Sequence, residues 1–173
     1  MAQVQPVGSP VIETLETSQM LNQSLEPLRK FRWVIALDGI DAFTAMSATR
    51  PGGGSFGETM IPFINTKRYL AGTWTPDSWS LKLWDPIAPS QAQKVLAWVR
   101  LSYDVITGRA GYANIYKKNF HVKLLDPPGG VAQQWEIQGA WIQKVNFDDL
   151  SYESEGTVDI DLNIRYDRCV LRF

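Results

Sequence analysis

The sequence predicts an antiparallel β fold, a sandwich or barrel, with one α-helix packed on one side. Three observations carry this. Runs rich in aromatic and β-branched residues alternate in polarity, turn formers separate them at short intervals, and only one stretch groups its apolar residues at helical spacing. The 173 residues suit one domain large enough to bury its own core.

Residues 1–27 are mostly polar, with three prolines and little periodicity, although "VIETLETSQMLNQSL" has the pattern of a short amphipathic turn. They read as an N-terminal arm that stays loose or orders against a partner, and 28–173 as the β domain. "FRWVIALDGI" and "DAFTAMSAT" alternate on either side of an Asp-Gly break, as a hairpin would. "RPGGGSFGE" interrupts with four glycines and predicts a mobile loop. "TKRYLAGTW" and "SWSLKLWD" read as the next strand pair, turned by "TPDS". "PSQAQKVLAWVRLSYDVITG" is the helix, with Ser90 as N-cap, Val95, Leu96, Trp98, Val99 and Leu101 on its apolar side, and Gly108 past its end. "NFHVKLLD", the turn "PPGG", "QWEIQGAWIQKV" and "GTVDIDLNIRYD" complete seven or eight strands. In the last stretch Val158, Ile160, Leu162, Ile164 and Tyr166 take one parity; Asp159, Asp161, Asn163, Arg165 and Asp167 take the other.

The net charge of −1 gives no global basic field for binding nucleic acid. Charge is nevertheless uneven: Asp148, Asp149, Glu153, Glu155, Asp159, Asp161 and Asp167 face only Arg165 between 148 and 167. The single cysteine, Cys169, excludes an internal disulfide or a multi-cysteine zinc site and suits a reducing cytoplasm. The first residues lack a secretory pattern, and no apolar run approaches the ~18 residues of a membrane span.

Most chemical motifs fail on context. "GGGSFG" satisfies a dinucleotide-binding glycine pattern, with Asp77 about 20 residues on, but Pro62 stands where the required helix would continue. Asp159, Asp161 and Asn163 match the start of a calcium loop, whereas Ile164 and Val170 occupy its glycine and glutamate positions. His121 is the only histidine and reads as a half-exposed strand residue, and Cys169 as packing. These readings leave no catalytic residue, cofactor or metal site. The seven tryptophans read as core, with a surplus for an interface.

The stretch "GETMIPFINTKRYLAGTWTPDSWSLKLWD" resembles the tail tube proteins of contractile-tailed, T-even-type phages. Ile61, Pro62, Asn65, Lys67, Ala71, Gly72, Trp79 and Asp85, then Trp98, fall in the family's order. The resemblance resumes at "YKKNFHVKLLD" and at "WEIQGAWIQKVNFDDLSYESEGTVDIDLNIRYD", covering about Leu28 to Asp167. Trp141-Ile142 departs from the family's Trp-Pro step, and the arm is longer than usual.

This resemblance implies the tail-tube (Hcp-like) fold and a hexameric ring whose subunits lend strands to one continuous inner β-barrel. It implies a virion protein, assembled in the host cytoplasm, whose stacked rings form the tail's inner tube. The implied partners are other copies, the sheath, the tape measure protein, baseplate and terminator proteins, and passing genomic DNA, with no membrane. Baseplate tube initiators and tube proteins of non-viral injection systems share the fold; a monomeric ligand-binding barrel is the alternative of another class. In such a ring Asp159, Asp161, Asn163, Arg165 and Asp167 are expected to line the bore, joined by Glu136 and Gln138, as an acidic wall that repels DNA. The loop Arg50, Pro51, Gly52, Gly53, Gly54, Ser55, Phe56, Gly57, Glu58 is expected to mediate contact between rings.

Overall fold

The computed structural model describes residues 26–153 and 155–172; apart from Glu26 and Pro27, the expected arm lies outside the described residues. Strand β1 (Trp33–Ala36) is followed by a 3₁₀ turn (Ala42–Thr44) and β2 (Ala45–Ala48). Next come β3 (Gly54–Phe63), β4 (Thr66–Pro76), β5 (Trp79–Trp84) and helix α1 (Gln91–Ser102). Two-residue strands β6 (Tyr103–Asp104) and β7 (Arg109–Ala110) and the short helix α2 (Ala113–Tyr116) lead to β8 (Lys118–Leu125). The chain finishes with β9 (Val131–Phe147), β10 (Asp159–Arg165) and β11 (Arg168–Leu171).

The main sheet runs β1-β8-β9-β10-β5-β2, with β11 also on β9, and every pairing is antiparallel. β8 and β9 form the expected hairpin through "PPGG". Two other expected pairings fail. β1 and β2 are not a hairpin: they sit at opposite ends of the strand order, and the bridge Leu37–Ile40 closes a turn in the segment between them. β4 pairs with β3 rather than β5, because β5 is claimed on both edges by β10 and β2.

β9 crosses the whole molecule. Its first part pairs with β8 and β11, its second with β10, and it changes partner around Gly139. Gly139 has φ +67°, and a Cβ there would lie 2.2 Å from an Asp167 carboxylate oxygen. Gly139→Ala combines that collision with a left-handed backbone, so it is expected to lower stability by about 1–3 kcal/mol in a urea titration.

The change of partner folds the sheet upon itself. Trp79 on β5 and Phe120 on β8 are three strand spacings apart, about 14 Å in a flat sheet, yet their ring centroids lie 5.2 Å apart. Between the two halves lies one core, including Ile35, Leu81, Leu83, Ile137, Ile160, Leu162 and Ile164, all 2 % exposed or less. Val158 does not continue this parity, since it is exposed and precedes β10.

Helix α1 adds Val95 and Trp98 to the core. Ser90 is its N-cap but makes no side-chain cap bond. The carboxylate of Asp85 accepts instead, from Gln91 N at 2.6 Å and Ala92 N at 3.3 Å, satisfying otherwise free amides. Asp41 accepts from Gln91 Nε2 (2.7 Å) and Lys94 Nζ (2.6 Å), tying the helix to the 3₁₀ turn. The helix ends at Ser102, so Gly108 belongs to the β6–β7 turn, its N–H bonded to Asp104 O at 2.8 Å.

Candidate functional site

The outer face of the four-stranded half, β2-β5-β10-β9, is polar because alternation sends Ile160, Leu162 and Ile164 inward and their neighbours outward. Register places Asn146, Asp161, Lys82 and Ser47 in one row across the strands, and Lys144, Asn163 and Ser80 in the next. These seven line an open depression of about 510 Å³. Asp159 lies at the end of the same face, 3.0 Å from Lys82 Nζ.

The expectation of an acidic wall is therefore corrected. Lys82 and Lys144, supplied by neighbouring strands, match Asp159 and Asp161 in number. Reading one strand alone hid them; alternation in "SLKLW" marked Lys82, but only the register set it opposite the aspartates.

The remaining four expected residues divide. Arg165 stands opposite Trp141 at the other end of β10. Asp167 is drawn to Lys117 Nζ at 2.6 Å and covers Gly139. Glu136 and Gln138 lie on the outer face of the β1-β8-β9-β11 half, where Gln138 Nε2 donates to Glu136 at 2.7 Å and Arg172 Nε donates at 2.6 Å. The two halves pack core to core, so this face turns away from the aspartate row, and the seven residues do not form one surface.

Hydrogen bonds set the acid behaviour. Lys82 holds the Asp159 carboxyl below its usual range, Gln138 and then Arg172 lower that of Glu136, and Lys94 and then Gln91 lower that of Asp41. A depressed carboxyl contributes stability above its unfolded pKa, about 4, and loses it as pH falls through the folded value. The melting temperature is thus expected to fall between pH 5 and pH 3, and Asp41→Asn to flatten that slope; thermal melts across the interval check both.

Two strand edges flank the polar face. β2 pairs only with β5, and residues 141–147 of β9 pair only with β10 among the described residues, because β8 ends opposite Ala140. With four alternating strands, the two edge strands run in opposite directions.

The expected mobile loop is also corrected. Arg50, Pro51, Gly52 and Gly53 are clamped to the body: Arg50 Nη2 donates to Gln133 at 2.6 Å, its guanidinium lies 5.6 Å from the Trp135 ring centre, and Pro51 is buried. Gly54, Ser55, Phe56, Gly57 and Glu58 begin β3. The β3–β4 hairpin pairs with no other described strand and is exposed nearly throughout. The glycines do not loosen it; Gly57 and Gly72 sit at an irregularity where the strands approach closely.

The remaining expected residues are quiet. His121 is half-buried opposite Glu136, and burial against the core pushes the Cys169 thiol up to about 11. Of the tryptophans, Trp79 and Trp98 are buried, Trp33 and Trp135 pack against the core, and Trp74 is exposed on the hairpin.

No protein-family profile and no curated protein matches the sequence. Solved structures do match in shape. A chain of the PVC sheath–tube complex, an extracellular contractile injection system in its extended state, is 13% identical with a TM-score of 0.69, covering 90% of this chain and 97% of that one. A chain of the tube-terminating cap of the anti-feeding prophage is 14% identical with a TM-score of 0.68, covering 85% and 91%. A chain of that particle's baseplate, 6-fold symmetrised, is 13% identical with a TM-score of 0.61, covering 84% and 95%. The chain has the mainly antiparallel β fold found among tube proteins of contractile injection systems.

Proposed function

We propose that this protein is a structural subunit whose copies join β2 of one to β9 of the next into a hexameric ring, and that stacked rings form the inner tube of a contractile tail. The observation that carries the reading is the pair of oppositely directed edges, unpaired among the described residues, flanking one polar-faced sheet. Each copy offers its neighbour the edge that neighbour lacks, a head-to-tail contact that closes into a ring and removes a hazardous exposed edge. The likeness to a 6-fold symmetrised baseplate supports six copies.

In this ring Asp159, Asp161 and Asn163 line the bore with Lys82, Lys144 and Ser80. Arg165 and Asp167 stand toward the end where the hairpin leaves, and Glu136 and Gln138 belong to the outer layer. The lining offers no continuous cationic track, so a passing polyphosphate finds few sites for counterion release. The tube would carry the tape measure protein and then DNA, with sheath, baseplate and terminator proteins as outer and end partners.

Negative-stain microscopy of the purified chain tests this: rings or tubes with a central hole are expected, and a purely monomeric species rejects it. The likeness to a cap and a baseplate chain favours one second reading, a single terminating or initiating ring of a non-viral injection system. Copy number per particle separates the two.

A further inference from the structure

Resting on the ring reading, the geometry points to a specific receptor for the β3–β4 hairpin: the opposite end of the next copy, formed by the acidic β9–β10 connection and the aromatic residues beside it. The hairpin leaves the four-stranded sheet between β2 and β5, at the end marked by Trp79 and Ile164. The β9–β10 connection closes the other end, marked by Trp84 and Asp159. One molecule thus roots the hairpin at one pole and carries the connection at the other, the arrangement a head-to-tail stack requires.

Their chemistry is complementary. Phe63, Ile64, Tyr69 and Leu70 are exposed near the hairpin tip, with Lys67 and Arg68 as its charges; Glu58 lies further down. At the other pole Phe43, Phe147, Leu150 and Tyr152 are exposed, among Asp148, Asp149, Glu153 and Glu155. An apolar tip with two cations meets an apolar surface with a surplus of anions.

A separate observation marks the tip. Ile64 has φ +50° and is 87 % exposed. A β-branched residue in the left-handed region is strained, and a tight hairpin turn there prefers glycine or asparagine. The protomer gains nothing visible from an apolar side chain placed in water at a strained position. A partner that buries the side chain supplies the reason for keeping it.

Three variant sets test the contact, each read by tube yield in sedimentation and microscopy and by ring mass in solution. Ile64→Gly relieves the backbone, so the melting temperature should hold or rise while the ring concentration needed for tubes increases about tenfold or more, a loss of about 1.4 kcal/mol per ring added. Lys67→Glu with Arg68→Glu, or Asp148→Lys with Asp149→Lys, should each leave rings and abolish stacking; all four together should restore tubes. Ile64→Cys with Leu150→Cys should give an oxidised ladder of linked copies, absent from the parent, whose Cys169 is partly buried. Normal tubes from Ile64→Gly and from both reversals, or no ladder, would overturn the assignment. If the parent forms no rings, the ring reading fails, and the ladder alone decides whether these poles meet.

Discussion

Replacing residues 54–76 with two glycines is expected to leave a folded protomer that forms rings and makes no tubes. The base of the hairpin permits the closure, because Asp77 N already donates to Gly53 O at 3.0 Å, so a short linker joins neighbours. No core residue lies in the deleted segment, and the melting temperature should change by only a few degrees, since roughly 2–4 °C corresponds to 1 kcal/mol for a chain of this size. A two-stranded hairpin alone is marginal in water, and this one exposes Phe56, Met60, Ile61, Tyr69, Leu70 and Trp74. Covering such a surface removes apolar area from water and stabilises the hairpin. Tubes of ordinary length from the deletion would reject the hairpin as the stacking element.

Trp79→Ala is expected to have the largest effect on the protomer itself. Trp79 is 1 % exposed, packs on Phe120 across the two halves of the sheet, and donates its indole N–H to Thr49 O. Truncation leaves a cavity and an unpaired carbonyl, together about 3–5 kcal/mol. For this size the melting temperature should drop by roughly 10–15 °C. Trp79→Phe keeps the ring and loses the donor, so it should fall between the two. Thermal denaturation of both variants measures the split, and a shift below a few degrees for Trp79→Ala would show that another contact holds the halves together.

Local chemistry made the strands legible, and pairing did not follow from it. The parity of β10, the spacing of Val95 and Trp98, and the "PPGG" turn each encode structure within a dozen residues, and each appears as expected. The partner of β5 is not local. Trp79–Trp84 reads as half of a hairpin with the preceding strand until β10, some 80 residues later, claims its edge. Glycine misled in the same way: "RPGGGSFGE" has the composition of a loop, yet its second half begins β3, and across the pair Gly72 lets the strands approach where a Cβ would lie 2.9 Å from Gly57 O. The N-cap position was legible at Ser90, but the oxygen that accepts from the free amides belongs to Asp85, five positions earlier. The candidate lining was half legible, since the aspartates are written on one strand while Lys82 and Lys144 arrive only by register.

The even number of strands on the polar face has a mechanical consequence. Strands of a closed barrel tilt by about 35–45° to its axis, and in the proposed ring every seam repeats the antiparallel pattern found inside each copy. Axial thrust during firing would therefore load each seam partly in shear, spreading force over several backbone bonds at once instead of peeling them singly. A wall joined in this way resists splitting lengthwise, and its weakest planes lie between successive rings.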